Sequence, residues 1–124
     1  MFRELVLPEL EILSEYLDCM TWHLDGYEEV RHLETLLSFH PIDAVQIVAG
    51  ANRPPAASEM WMPQLKRIQD SGKGLYLSAN DAEEFDVLTE ELRPPGVFIG
   101  CSFLQTLEEA ERFFHERGME WLVE

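Results

Sequence analysis

Basic residues are scarce in this chain of 124 amino acids: 9 lysines and arginines stand against 24 aspartates and glutamates, for a formal charge of -15. Binding nucleic acid requires a cationic face that meets phosphates, and this surface cannot supply one. The same deficit argues against docking on anionic membranes. Cysteine is almost absent, with only Cys19 and Cys101, too few for the disulfide framework of a small secreted domain. No apolar run approaches the roughly 20 residues that cross a bilayer. Met1-Phe2-Arg3-Glu4 leads straight into an amphipathic pattern rather than a signal peptide. These absences together lead to the expectation of a cytoplasmic, reduced protein. Missing as well are a nucleotide-binding glycine fingerprint, a P-loop and a Gly-x-Ser-x-Gly elbow.

What is present is a hydrophobic content of 46%, enough for one globular domain over residues 1–124. Helical spacing appears at Leu10, Leu13, Tyr16 and Leu17, then at Val30, Leu33, Leu36 and Leu37. It returns at Trp61, Leu65 and Ile68, at Phe85, Leu88 and Leu92, and at Ala110, Phe113 and Phe114. Between these segments lie short apolar runs: Met20 to Leu24, Ala44 to Val48, Leu75 to Leu77 and Val97 to Ile99. Such runs suit strands of a parallel sheet covered on both faces. The pattern therefore predicts an α/β chain: four parallel strands in sequential order, about five helices, and right-handed crossovers. Thr106 to Glu109 has the spacing of a capping box, and Asn80 offers a similar cap. Gly72 marks a left-handed helix end, and Pro94-Pro95-Gly96 stops another helix. Pro8 either kinks the first helix or marks its true start.

The strand ends carry the chemistry. Trp22-His23-Leu24-Asp25-Gly26 closes an apolar run with a histidine, a carboxylate and a glycine, and the last strand ends at Cys101. Residues two apart on a strand point to one side, so His23 and Asp25 can converge on one ion. Imidazole, carboxylate and thiolate are all zinc ligands, and three of them leave a fourth position open. The competing reading makes Asp25 a cap for a helix starting near Tyr27, His23 a satisfied polar residue and Cys101 a small buried hydrophobe. The loop from Ala49 to Ser58 and the segment Ser78-Ala79-Asn80 also follow strands. Arg53 there can reach an anionic substrate group and Asn80 can line the same rim, unless both serve only the turns. Trp22, Trp61 and Trp121, with Met60 and Met62, suggest a flat cofactor pocket. Trp61 is in phase with Leu65 and Ile68, however, and that phase favours core packing.

Several segments in order resemble the C-terminal half of the uroporphyrinogen decarboxylase-like superfamily. Residues 1–8 are similar to the helix before the family's fifth barrel strand, and His23-Leu24-Asp25-Gly26 is similar to the His-x-Cys-Gly segment of its methyltransferase branch. Gln64 to Gln69 followed by Gly72-Lys73-Gly74 resembles the helix into the seventh strand. Gly96 to Cys101 with Thr106 to Glu116 resembles the last strand and helix. The resemblance implies half of a (β/α)8 barrel, strands five to eight, derived from a corrinoid-dependent methyltransferase. It places zinc ligands at His23, Asp25 and Cys101, with aspartate where that branch has cysteine, and implies a corrinoid on a partner protein as methyl donor. The superfamily's other branch implies a decarboxylase-like enzyme acting without metal on a carboxylated tetrapyrrole. A third expectation is a non-enzymatic half-barrel with a structural or partner-binding role. Open edges at the first and last strands further predict a homo-oligomer that closes a barrel from two halves. The alternative fold is a small flavodoxin-like layer structure that covers its own sheet.

Overall fold

A computed structural model describes residues 1–119 of the chain. Helix α1 (Phe2–Ser14) leads into strand β1 (Thr21–Asp25), followed by a short 3-10 helix (Tyr27–His32) and α2 (Leu33–Ser38). Strand β2 (Ala44–Val48), α3 (Met62–Asp70), β3 (Gly74–Ala79), α4 (Ala82–Glu91), β4 (Val97–Cys101) and α5 (Leu107–Glu116) complete the order. The four strands form one parallel sheet in the order β1-β2-β3-β4. The expected α/β alternation is thus present, with each strand beside its neighbour in sequence. Among the described residues no helix is long and apolar enough to cross a membrane.

Local chemistry explains the boundaries. Thr106 accepts the Glu109 backbone N–H while the Glu109 carboxylate takes the Thr106 N–H, a complete capping box for α5. The cap of α4 falls one residue later than expected: Asp81, not Asn80, accepts the Glu84 N–H at 2.9 Å. Gly72 and Gly96 adopt φ values of 82° and 79°, where an L side chain would be strained. Pro8 lies inside α1, which continues through it to Ser14. The segment expected as one helix around Val30–Leu37 is instead a 3-10 helix followed by α2. Over six residues, spacings of 3.0 and 3.6 cannot be separated from sequence.

One hydrophobic core lies on one side of the sheet. Leu24, Val45, Ile47, Leu75, Leu77 and Ala79 are buried there against Leu33, Leu36 and Leu37 of α2, Leu65 and Ile68 of α3, Phe85 and Leu88 of α4, and Phe113 of α5. Full burial of one such side chain contributes about 1.5–3 kcal/mol. The alternate residues form a different face. Thr21, His23, Asp25, Tyr76, Ser78 and Phe98 are exposed, and Ala44, Gln46 and Val48 are half-buried. Here the structure corrects the expectation of a sheet covered on both faces, as in a flavodoxin-like layer. The physical reason is the polar alternation along β1 and β3, which suits a sheet with one solvated face.

Among the described residues, five ion pairs away from the N-terminus use the scarce cations to join neighbouring strand-helix units: Arg53–Glu28, Lys66–Glu91, Arg67–Glu34, Arg93–Asp70 and Arg117–Asp86. Arg67 grips Glu34 with two hydrogen bonds of 2.8 and 2.7 Å. Helix α1 is the exception to this close association, with no buried residue of its own. It reaches the rest of the chain through Phe2, which stacks on His32 and meets Trp22 edge-on, through Leu10, which packs against the core, and through Arg3, which donates to Thr35.

Candidate functional site at the carboxyl ends of the strands

All four strands end at one rim, the position where parallel α/β sheets take ligands. Gly26, at φ 86°, turns the chain out of β1, and its N–H donates to the Val48 carbonyl at 2.8 Å. Gly50, at φ 88°, likewise turns the chain after β2, and a Cβ there would lie 3.8 Å from the Gly26 Cα. Two glycines thus let the first two strand ends approach closely. Beside them opens a cleft of about 480 Å³ lined by Asp25, Gly50, Arg53, Ser78, Asn80 and Glu84, among others.

Three of the expected residues meet in this cleft, and two of them are already engaged. Arg53 is held in an ion pair with Glu28, so its charge is already committed. Asn80 donates from its backbone N–H and its side-chain amide to one oxygen of Glu84, at 2.8 and 2.9 Å. Asp25 alone has no hydrogen-bond or ion-pair partner among the described residues. It does not cap the following 3-10 helix, whose N-cap is Gly26 with no side-chain bond.

His23 stands one pleat below Asp25 on the same exposed face. Its Nδ1 lies 2.8 Å from the Gln46 Oε1, its register partner on β2. An amide oxygen only accepts, so Nδ1 donates to it and Nε2 is directed away from that bond. Gln46 escaped the sequence reading. Its signal was positional, since each residue is the third of a five-residue strand and both are polar within apolar runs.

Cys101 goes elsewhere. It pairs with Ala79 at the far edge of the sheet and packs against the core, in phase with Val97 and Ile99. Burial pushes its thiol pKa up, an effect that Arg117 partly offsets. Three strand spacings, about 14 Å, separate β4 from β1, and His23 and Asp25 point to the opposite face. The expected His23-Asp25-Cys101 set therefore does not converge within the chain. Among the described residues no group of three or more histidine, cysteine or carboxylate side chains is placed to hold a metal ion. The donor set does not fit the zinc that the resemblance implies.

Comparison with protein-family models, with curated proteins and with solved structures finds no match to this chain. Its chemistry must be read from its own residues.

The aromatic cluster resolves into packing. Trp61 is fully buried and meets Tyr27 edge-to-face with ring centroids 5.1 Å apart. Trp22 packs against Phe2 at 5.9 Å, while Trp121 lies outside the described residues. Cys19 is exposed, and desolvation followed by the neighbouring Asp43 carboxylate raises its pKa.

Proposed function

We propose that the chain is half of a β/α-barrel enzyme, related in design to the uroporphyrinogen decarboxylase-like proteins that its sequence resembles. In this reading its share of the active site works by proton transfer without a metal. The supporting observation is the His23-Gln46 pair beside an unpartnered Asp25. An imidazole with one nitrogen fixed by hydrogen bonding and the other open is positioned to accept or deliver a proton on a bound molecule. Asp25 supplies a carboxylate acceptor for a donor or positive charge on that molecule.

The thiol-activating methyltransferase reading needs a thiolate beside His23 and Asp25, and the position of Cys101 speaks against it. A carboxylated tetrapyrrole would need cations at the rim, where Arg53 is already engaged with Glu28. The ligand best matched to this half is a small neutral or cationic molecule bearing hydrogen-bond donors.

Benzylamine and benzoate test this directly, since they share a ring and differ in charge. In nuclear magnetic resonance titrations, benzylamine should move the Asp25 and His23 signals, and Asp25→Asn should abolish the effect. Preferential binding of benzoate, or amine-induced shifts confined to the helix-covered side, would refute the proposal.

A further inference from the structure

The open face and the two outer strands point to a specific occupant. We infer that it is a second copy of this chain, joined so that β4 of each copy pairs in parallel with β1 of the other and an eight-stranded barrel closes. The inference rests on the half-barrel reading above and adds what completes it.

Area gives the first argument. The accessible surface of the chain is 8289 Å². A folded monomer of 14.4 kDa exposes about 6,800 Å² by the usual scaling with mass. The excess is about 1,400 Å² per copy, and about 700 Å² remains if residues 120–124 are counted at the full area of an unfolded chain. Over two copies this amounts to roughly 1,400–2,800 Å², from a standard interface to an obligate one.

The edges give the second. Exposed edge strands in stable monomers are usually blunted by lysine, proline or a bulge. The outer strand β4 reads Val97-Phe98-Ile99-Gly100-Cys101, with neither charge nor proline. Among the described residues nothing pairs with its outer side or with that of β1. Because all four strands run in one direction, a twofold axis parallel to them makes both junctions identical, and the ring closes without leaving an edge.

The apolar residues give the third. Phe98 is 61% exposed and Tyr76 38%, and the two rings meet edge-to-face on the uncovered face, 4.8 Å apart. Eight strands is the size at which inward side chains just fill a barrel, and two such pairs supply the bulk. On the outside, Leu5, Ile12, Leu13, Tyr16 and Leu17 in and after α1 are each at least half exposed. Closure brings α5 of the partner copy alongside them, with its exposed Leu107. Closure also completes the rim, giving one mouth with Asp25 and Ser78 from both copies.

Charge works against closure, since each copy carries -15. Association should therefore strengthen with salt, which screens the repulsion.

Sedimentation equilibrium of the full chain, at low and high salt, tests the inference. The expected particle is a dimer whose dissociation constant falls as salt rises. Phe98→Lys should weaken it roughly 100-fold or more while leaving the circular dichroism unchanged. A dimer indifferent to Phe98→Lys, or an open-ended series of larger species, would overturn the inference. So would a folded monomer at high concentration. In that last case, thiol labelling of Phe98→Cys, with Cys19 and Cys101 replaced by serine, separates two failures. Fast labelling means that the face is open and only the choice of occupant is wrong. Slow labelling of a monomer means that the chain covers its own sheet, and the half-barrel reading falls with the inference.

Discussion

Leu24 and His23 are adjacent on the outermost strand, yet they should respond to truncation in opposite ways. Leu24 is fully buried and His23 exposed. Leu24→Ala removes most of a side chain from a packed core and leaves a cavity, at a cost of about 3 kcal/mol within a usual range of about 2–5. For a domain of this size, that lowers the melting temperature by about 10–15 °C. His23→Ala loses one exposed hydrogen bond to Gln46 and no core contact, so its cost stays below about 1 kcal/mol. Urea unfolding followed by circular dichroism measures both values. Running it at two protein concentrations a hundredfold apart separates folding from association. A dilute-solution cost for His23→Ala equal to that for Leu24→Ala would mean that the second face is packed too. The one-sided core, and everything argued from it, would then be wrong.

Three further outcomes follow from the geometry. Gln46→Leu should release the His23 ring, so that imidazole nitrogen chemical shifts change from a single tautomer to a mixture, with little loss of stability. Thr106→Ala removes the hydroxyl that accepts the Glu109 N–H and leaves the backbone N–H to Glu109 in place; it should cost about 1 kcal/mol, read as a lower urea midpoint with unchanged slope. The Arg117 guanidinium holds the Asp86 carboxyl below its ordinary pKa. Its contribution is therefore present above the unfolded carboxyl pKa and lost as the pH falls through the folded value. Asp86→Asn should flatten that acid limb slightly, because the Asp86 carboxylate is about half exposed and solvent screens the pair.

The repeating strand-helix order was readable because the apolar runs and helical stripes alternate cleanly, and Ala44 to Val48 matches β2 residue for residue. The open face was legible too, in the alternation of Thr21, His23 and Asp25 with Trp22 and Leu24. It was obscured by reading the run as continuous. The same counting by twos places Cys101 with Val97 and Ile99 on the core side, which separates the thiol from His23 by sequence pattern alone. The bond between His23 and Gln46 was harder to see. It depends on the register between two strands, which local patterning does not encode. The commitments of Arg53 to Glu28 and of Asn80 to Glu84 likewise arise only once loops and helix starts are brought together.

The ion pairs that join each unit to the next have a consequence for how the molecule opens. Among the described residues both the sheet order and the cross-unit bridges link sequence neighbours, so the cohesive energy approximates a sum of nearest-neighbour couplings, as in a short linear array. Such arrays loosen from their ends. Amide hydrogens of β2 and β3 should be the slowest to exchange, and those of β1 and β4 should exchange through smaller, independent openings. The outer strands of an isolated copy are then also its most readily released, like the free teeth of a zipper.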